Sequence, residues 1–233
     1  MDKPWIEKVS PSLGINEALV FVNGYLTENC TEPYHHNDLM ESLRQSGYKG
    51  AIYYLWWDSS NKQKLYGAIS QFGIGVLPHF EKHKKRAKRV GKFSFENLIL
   101  LEVLESEVSL IGHSLGARVI YYCGINWSSH HSRKLKSVFL LGGAIARNAK
   151  WEQITSCCKD SLYNIYNSKD PILLKPYRLQ SLGKPACGSH PIRKKSERMH
   201  NIDVVTLIGR THNLQAYLEC LPSLVAQRVL NFE

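Results

Sequence analysis

The chain has 233 residues, enough for one domain with a sizeable core and short for two. Its hydrophobic and charged fractions, 43% and 21%, are those of an ordinary globular protein and exclude a disordered or fibrous chain. The net charge of +10 favours anionic partners: phospholipid surfaces, acyl-CoA, or nucleic acid without sequence preference.

Strand and helix signals alternate along the chain. Residues 18–22 (ALVFV) are a short apolar run closed by Asn23 and Gly24, the pattern of a buried strand and turn. Residues 36–46 have helical character, with Leu39 and Leu43 four apart. Residues 51–57 (AIYYLWW) read as a second buried strand, and residues 62–72, with Leu65 and Ile69 on one face, as a helix. A longer polar helix then carries the basic cluster Lys82, Lys84, Lys85, Arg86, Lys88, Arg89 and Lys92, followed by a helical run over 95–104. A third strand over 108–111 ends at Gly112, and an apolar helix follows over 115–124. The pattern continues with a strand over 138–141, a helix over 151–158, and strands over 162–166 and 202–207. It closes with an amphipathic helix over 214–230.

Near-continuously apolar strands alternating with helices predict a mostly parallel sheet with helices on both faces, in a single domain over 1–233. The one long non-periodic stretch, residues 171–200, holds Pro171, Pro176, Pro185, Gly188 and Pro191 together with Lys175, Arg178, Lys184, Arg193, Lys194 and Lys195. A loop of that length inside a compact domain is functional or mobile. The six cysteines, Cys30, Cys123, Cys157, Cys158, Cys187 and Cys220, fall at no metal-ligand spacing and read as scattered reduced thiols. No run of about eighteen uncharged apolar residues occurs. The first residues, MDKPWIEKVSPSLG, lack the apolar core of a secretory signal, so the expectation is a cytoplasmic protein, or one exported without a cleavable signal.

The chemistry-bearing motif is Gly112-His113-Ser114-Leu115-Gly116, a G-x-S-x-G pattern between a strand and a helix. A serine there sits on a sharp, strained turn, and the flanking glycines remove side chains that would clash in it. The hydroxyl stands at a helix N-terminus, whose free N–H groups and positive dipole favour a developing oxyanion. Such a nucleophile needs a base, and the base an orienting acid; in the α/β-hydrolase fold they follow in the order Ser, acid, His. His212 follows the last strand by a short turn and is the candidate base, with His200 as runner-up; His130 and His131 come too early in the chain. Asp170 directly follows the fifth strand and precedes Pro171, which makes it the candidate acid. Asp203, at the start of the expected sixth strand and so at the opposite edge of the sheet, is its competitor, with a loop-fastening role as its plainer reading. The oxyanion hole draws one N–H from Leu115 and a second from the loop after the first strand, from Tyr25 or Gly24.

At these residues the chain resembles lipases and esterases of the α/β-hydrolase superfamily. It is more closely similar to the domain-of-unknown-function family that includes the transmembrane and coiled-coil domain-containing hydrolase-like proteins. The similar pieces are residues 22–28 (VNGYLTE), 110–119 (LIGHSLGARV), 140–144 (LLGGA) with Trp151, 164–173 (NIYNSKDPIL), 201–203 (NID) and His212. The resemblance implies an α/β-hydrolase fold and a triad at Ser114, Asp170 and His212; the short connection between the fourth and fifth strands leaves no room for a large cap domain there. It also implies a serine lipase or esterase of undefined substrate, and the triad mechanism itself needs no metal or organic cofactor. Two departures stand out: relatives carry membrane segments that are not seen here, and the glycine expected just before the histidine is displaced by Arg210 and Thr211.

The expected function is therefore hydrolysis of a carboxylic ester through an acyl-enzyme, with a lipase or phospholipase favoured and peripheral contact with an anionic membrane surface. The rivals are a thioesterase or acyltransferase with the same triad, and a non-catalytic binding protein on the same fold. Specific nucleic-acid binding is not expected, because residues 82–92 lack the interleaved aromatics of a stacking surface.

Overall fold

The computed structural model describes residues 3–25, 34–59, 76–128, 133–193 and 196–232. Seven strands form one sheet: β1 (Trp5–Ser10), β2 (Glu17–Val22), β3 (Ala51–Trp56), β4 (Glu107–His113), β5 (Lys134–Leu141), β6 (Leu162–Tyr166) and β7 (Met199–Asp203). Their spatial order is β1-β3-β2-β4-β5-β6-β7. Only β1 runs antiparallel to its neighbour. The helices are α1 (Tyr34–Gln45), α2 (Val76–Phe93), α3 (Phe95–Glu102), α4 (Leu115–Gly124), α5 (Trp151–Cys157), the short α6 (Val205–Ile208) and α7 (Leu214–Ala226).

The apolar runs explain the layering. Successive side chains of a strand point to opposite faces, so a fully apolar strand feeds two cores at once. In β2, Ala18, Val20 and Val22 enter one core with Ala87 and Val90 of α2, Phe95 and Ile99 of α3, and Val119 and Ile120 of α4. Leu19 and Phe21 enter the other, with Leu39 and Leu43 of α1 and Tyr217, Leu218 and Leu221 of α7. Fully burying one such side chain contributes roughly 1.5–3 kcal/mol. This three-layer arrangement around a mostly parallel sheet is the α/β-hydrolase fold.

The structure departs from the sequence expectation in several places. The edge strand β1 carries no strand signal, because of its six residues only Ile6 is buried and the charged Glu7 and Lys8 follow it. The expected strand over 202–207 is instead β7 followed by α6. Its ladder ends at Asp203, whose carboxylate Oδ1 accepts the Val205 amide (3.1 Å) and turns the chain into a helix. Asp203 thus pairs with Tyr166 at the end of β7, on the carboxyl edge of the sheet and not the amino edge. Residues 171–200 are not a loop throughout: Leu173–Tyr177 form a π-helical turn that runs on through Arg178–Gln180. The closing helix stops at Ala226, short of 230. The helix expected over 62–72 lies outside the described residues.

Candidate active site

Ser114 stands between β4 and α4 with φ 53° and ψ −115°, a left-handed backbone that L-residues adopt only when their surroundings impose it. Those surroundings are explicit. The Ser114 amide donates to the Leu141 carbonyl (3.0 Å), and the Ser114 carbonyl accepts from the Ala144 amide (2.9 Å), tying the turn to the end of β5. Both motif glycines are sterically required. A Cβ on Gly116 would lie 2.0 Å from the Val22 carbonyl oxygen, and one on Gly112 would lie 2.8 Å from the Gly116 carbonyl carbon. Helix α4 therefore starts in backbone contact with the end of β2.

The fold brings Ser114, His212 and Asp170 into one hydrogen-bonded chain. His212 Nε2 lies 2.9 Å from Ser114 Oγ, and His212 Nδ1 lies 2.5 Å from Asp170 Oδ2. Asp170 is fully buried, and its other oxygen accepts the Ile172 (2.9 Å) and Leu173 (3.0 Å) amides. Its carboxylate thus caps the helical turn that follows and is held rigidly toward the imidazole. Ser114 is 7% exposed. The runner-up residues are placed elsewhere. His200 stacks on Tyr163 and contacts Ser161 Oγ (3.2 Å) within the sheet. Asp203 accepts the Ser168 (3.2 Å) and Val205 amides, a loop-fastening role.

Two positioning residues escape a sequence reading. Asn167 is fully buried and donates through Nδ2 to the carbonyls of Gly209 (2.8 Å) and Thr211 (2.9 Å), while its Oδ1 accepts the Lys169 amide. One amide side chain therefore fastens the Asp170 turn to the His212 loop. It also shows how the displaced glycine is accommodated: Gly209 takes φ 67°, and Asn167 bridges Gly209 and Thr211 just before His212. The second is His113. Its Nε2 donates to the His212 carbonyl (3.1 Å), and its ring lies 5.0 Å from the His212 ring. Burial first, and the neighbouring His212 second, hold its pKa well below the usual histidine range, so it stays neutral. The only local signal for either residue is its place, Asn167 just after a strand and His113 just before the serine.

The oxyanion-hole expectation is narrowed. The Gly24 amide already donates to Asn23 Oδ1 (2.7 Å). Among the described residues, the amides of Leu115 and Tyr25 make no hydrogen bond. Gly24 has a steric part instead: a Cβ there would lie 2.9 Å from Ser114 Cβ. Tyr25 is clamped by α2. Its hydroxyl, with a pKa pushed up to about 12 by burial, shares a hydrogen bond with His79 Nδ1 (2.5 Å), and its ring packs against His79, Phe80 and His83.

Five cysteines are free, and Cys30 lies outside the described residues. Among the described residues no group of three His, Cys, Asp or Glu side chains is placed to hold a metal ion. No helix of the described residues is long and apolar enough to cross a membrane.

A family model described as "Protein of unknown function (DUF726)" matches residues 76–228, which span the serine, the acid and the histidine. The chain belongs to the DUF726 family. It is 31% identical over 145 residues to the transmembrane and coiled-coil domain-containing protein STS1 of rice, covering 60% of this chain and 21% of that protein. It is also 31% identical over 103 residues to an uncharacterized membrane protein of Schizosaccharomyces pombe, covering 43% of this chain and 18% of the relative. The chain thus spans about a fifth of the length of these relatives. Among solved structures, alpha/beta hydrolase domain-containing protein 10 from mouse matches with 11% identity and a TM-score of 0.48, over 96% of this chain and 92% of that one.

Proposed function

We propose that this DUF726 member is a serine hydrolase that cleaves carboxylic esters through an acyl-enzyme, acting on a lipid-like acyl ester. The observation that carries the reading is the unbroken hydrogen-bonded chain from Ser114 Oγ through His212 to the buried Asp170, on a left-handed elbow. In this reading His212 Nε2 takes the proton of Ser114 as Oγ attacks the ester carbonyl. The Asp170 carboxylate accepts the Nδ1–H and stabilises the imidazolium. The amides of Leu115 and Tyr25 receive the oxyanion, supported by their lack of other partners and by the α2 clamp on Tyr25. Collapse of the tetrahedral intermediate breaks the ester C–O bond, and the alkoxide leaves with the proton held by His212. Water then attacks the acyl-serine by the same route, releasing the acid and restoring Ser114.

Turnover of a panel of oxygen esters and thioesters tests this reading. The wild type is expected to release acid from oxygen esters, and Ser114→Ala to fall to background. Turnover retained by Ser114→Ala would remove Ser114 from the chemistry; a clear preference for thioesters would reassign the substrate class.

A further inference from the structure

The segment that follows Asp170 has an unusual chemistry. From Pro171 to Ser196 there is no Asp or Glu, while Lys175, Arg178, Lys184, Arg193, Lys194 and Lys195 are present. In the structure Lys175, Arg178 and Lys184 are exposed, and so are large apolar side chains of the same segment: Leu179 is 74% exposed and Leu182 is 92% exposed. Leu182 takes φ 51°, and the next amide, Gly183, bonds back to the Arg178 carbonyl (2.9 Å). Glycine usually fills the left-handed position of such a helix end. A leucine there accepts a backbone cost and places an apolar side chain at the tip, in water.

Beside that tip lies a cleft of about 350 Å³ lined by Lys84, Arg118, Tyr122, Tyr177, Leu182 and Lys184, among others, with no carboxylate from the described residues in its wall. Lys84 is paired with Glu81 (2.5 Å) on its own helix. Arg118 is pre-positioned: its Nε donates to the Lys84 carbonyl (3.2 Å), and its guanidinium lies 5.3 Å from the Tyr122 ring centre. Arg118 and Lys184 have no carboxylate partner among the described residues. A guanidinium held in this way suits a phosphate oxygen pair. Arg118 belongs to α4, about one turn along the helix that Ser114 begins.

We propose that this face docks on an anionic phospholipid membrane, with a headgroup phosphate in the Arg118–Lys184 cleft and Leu179 and Leu182 entering the acyl layer. The exposed leucines favour a lipid surface over a soluble phosphate ester, which would leave them in water. Only the idea that the membrane also supplies the substrate rests on the hydrolase reading; the docking itself does not.

Co-sedimentation with vesicles of phosphatidylcholine, with and without phosphatidylserine, tests the proposal, with coenzyme A as a soluble competitor. The wild type is expected to pellet with the phosphatidylserine vesicles and to be released by high salt. Lys184→Gln is expected to weaken binding about fivefold, and Leu182→Ser about tenfold. Both residues are exposed, so both variants keep the fold, and both are expected to retain turnover of a soluble ester. Ser114→Ala is expected to pellet like the wild type, so docking can stand even where hydrolysis fails. Equal binding to pure phosphatidylcholine, or binding unchanged in both surface variants, overturns the proposal. Release by coenzyme A at low concentration would overturn it too, by marking the cleft as a soluble-phosphate site.

Discussion

The Asp170 carboxylate accepts three hydrogen bonds, two from backbone amides and one from His212. Asparagine keeps the two that cap the following turn but offers no charge to an imidazolium and can present its NH2 to Nδ1. Asp170→Asn is therefore expected to lower kcat by about four orders of magnitude with little change in melting temperature; a loss below tenfold in the ester assay would remove the carboxylate from the mechanism. At this scale the sequence is informative about residues that sit at strand ends. Ser114 and Asp170 directly follow β4 and the β6 turn, and His212 precedes α7. Asn167 and His113 are illegible by comparison, because each acts on a loop 42 or more residues away in sequence, and nothing local distinguishes them from a turn asparagine or a core histidine.

Among the elements, the elbow depends on how closely α4 approaches β2. Gly116→Ala puts a methyl 2.0 Å from the Val22 carbonyl oxygen, backbone against backbone, where no rotamer change relieves it. The expected cost is about 3 kcal/mol, read as a shift in the urea midpoint; a shift below the error of the fit would contradict the packing. The same element scale shows where pattern reading stops. Buried strands such as β2 and β3 announce themselves as uninterrupted apolar runs, whereas β1 has one buried residue and reads as surface. The end of β7 is set by the Asp203 side chain bonding to Ser168 and Val205, and Val204, Val205 and Leu207 extend the strand on paper only.

Across the whole molecule, several histidines are stored neutral. Burial pushes His83 down to about 4 and His113 well below the ordinary value of 6.5; burial, with nearby cations, also lowers His79 and His190. Unfolding returns them to about 6.5, so between about pH 6.5 and pH 4 the unfolded chain binds more protons than the folded one. The stability they contribute is full above about pH 6.5 and is lost as pH falls through this window. Melting temperature is expected to drop between about pH 7 and pH 4.5, less steeply in His83→Gln; a flat profile would contradict the burial of these rings. The charge of +10 and the acid-free basic segment are both legible in the sequence, but the cleft that brings Lys184 beside Lys84 and Arg118 needed the fold.

The central claim is that Ser114 is an activated nucleophile, and labelling with a fluorophosphonate probe, followed by peptide mapping, tests it most directly. A single adduct is expected on Ser114, absent from Ser114→Ala and strongly slowed in Asp170→Asn. A folded wild-type chain that takes up no probe, or that carries it on another residue, would contradict the account.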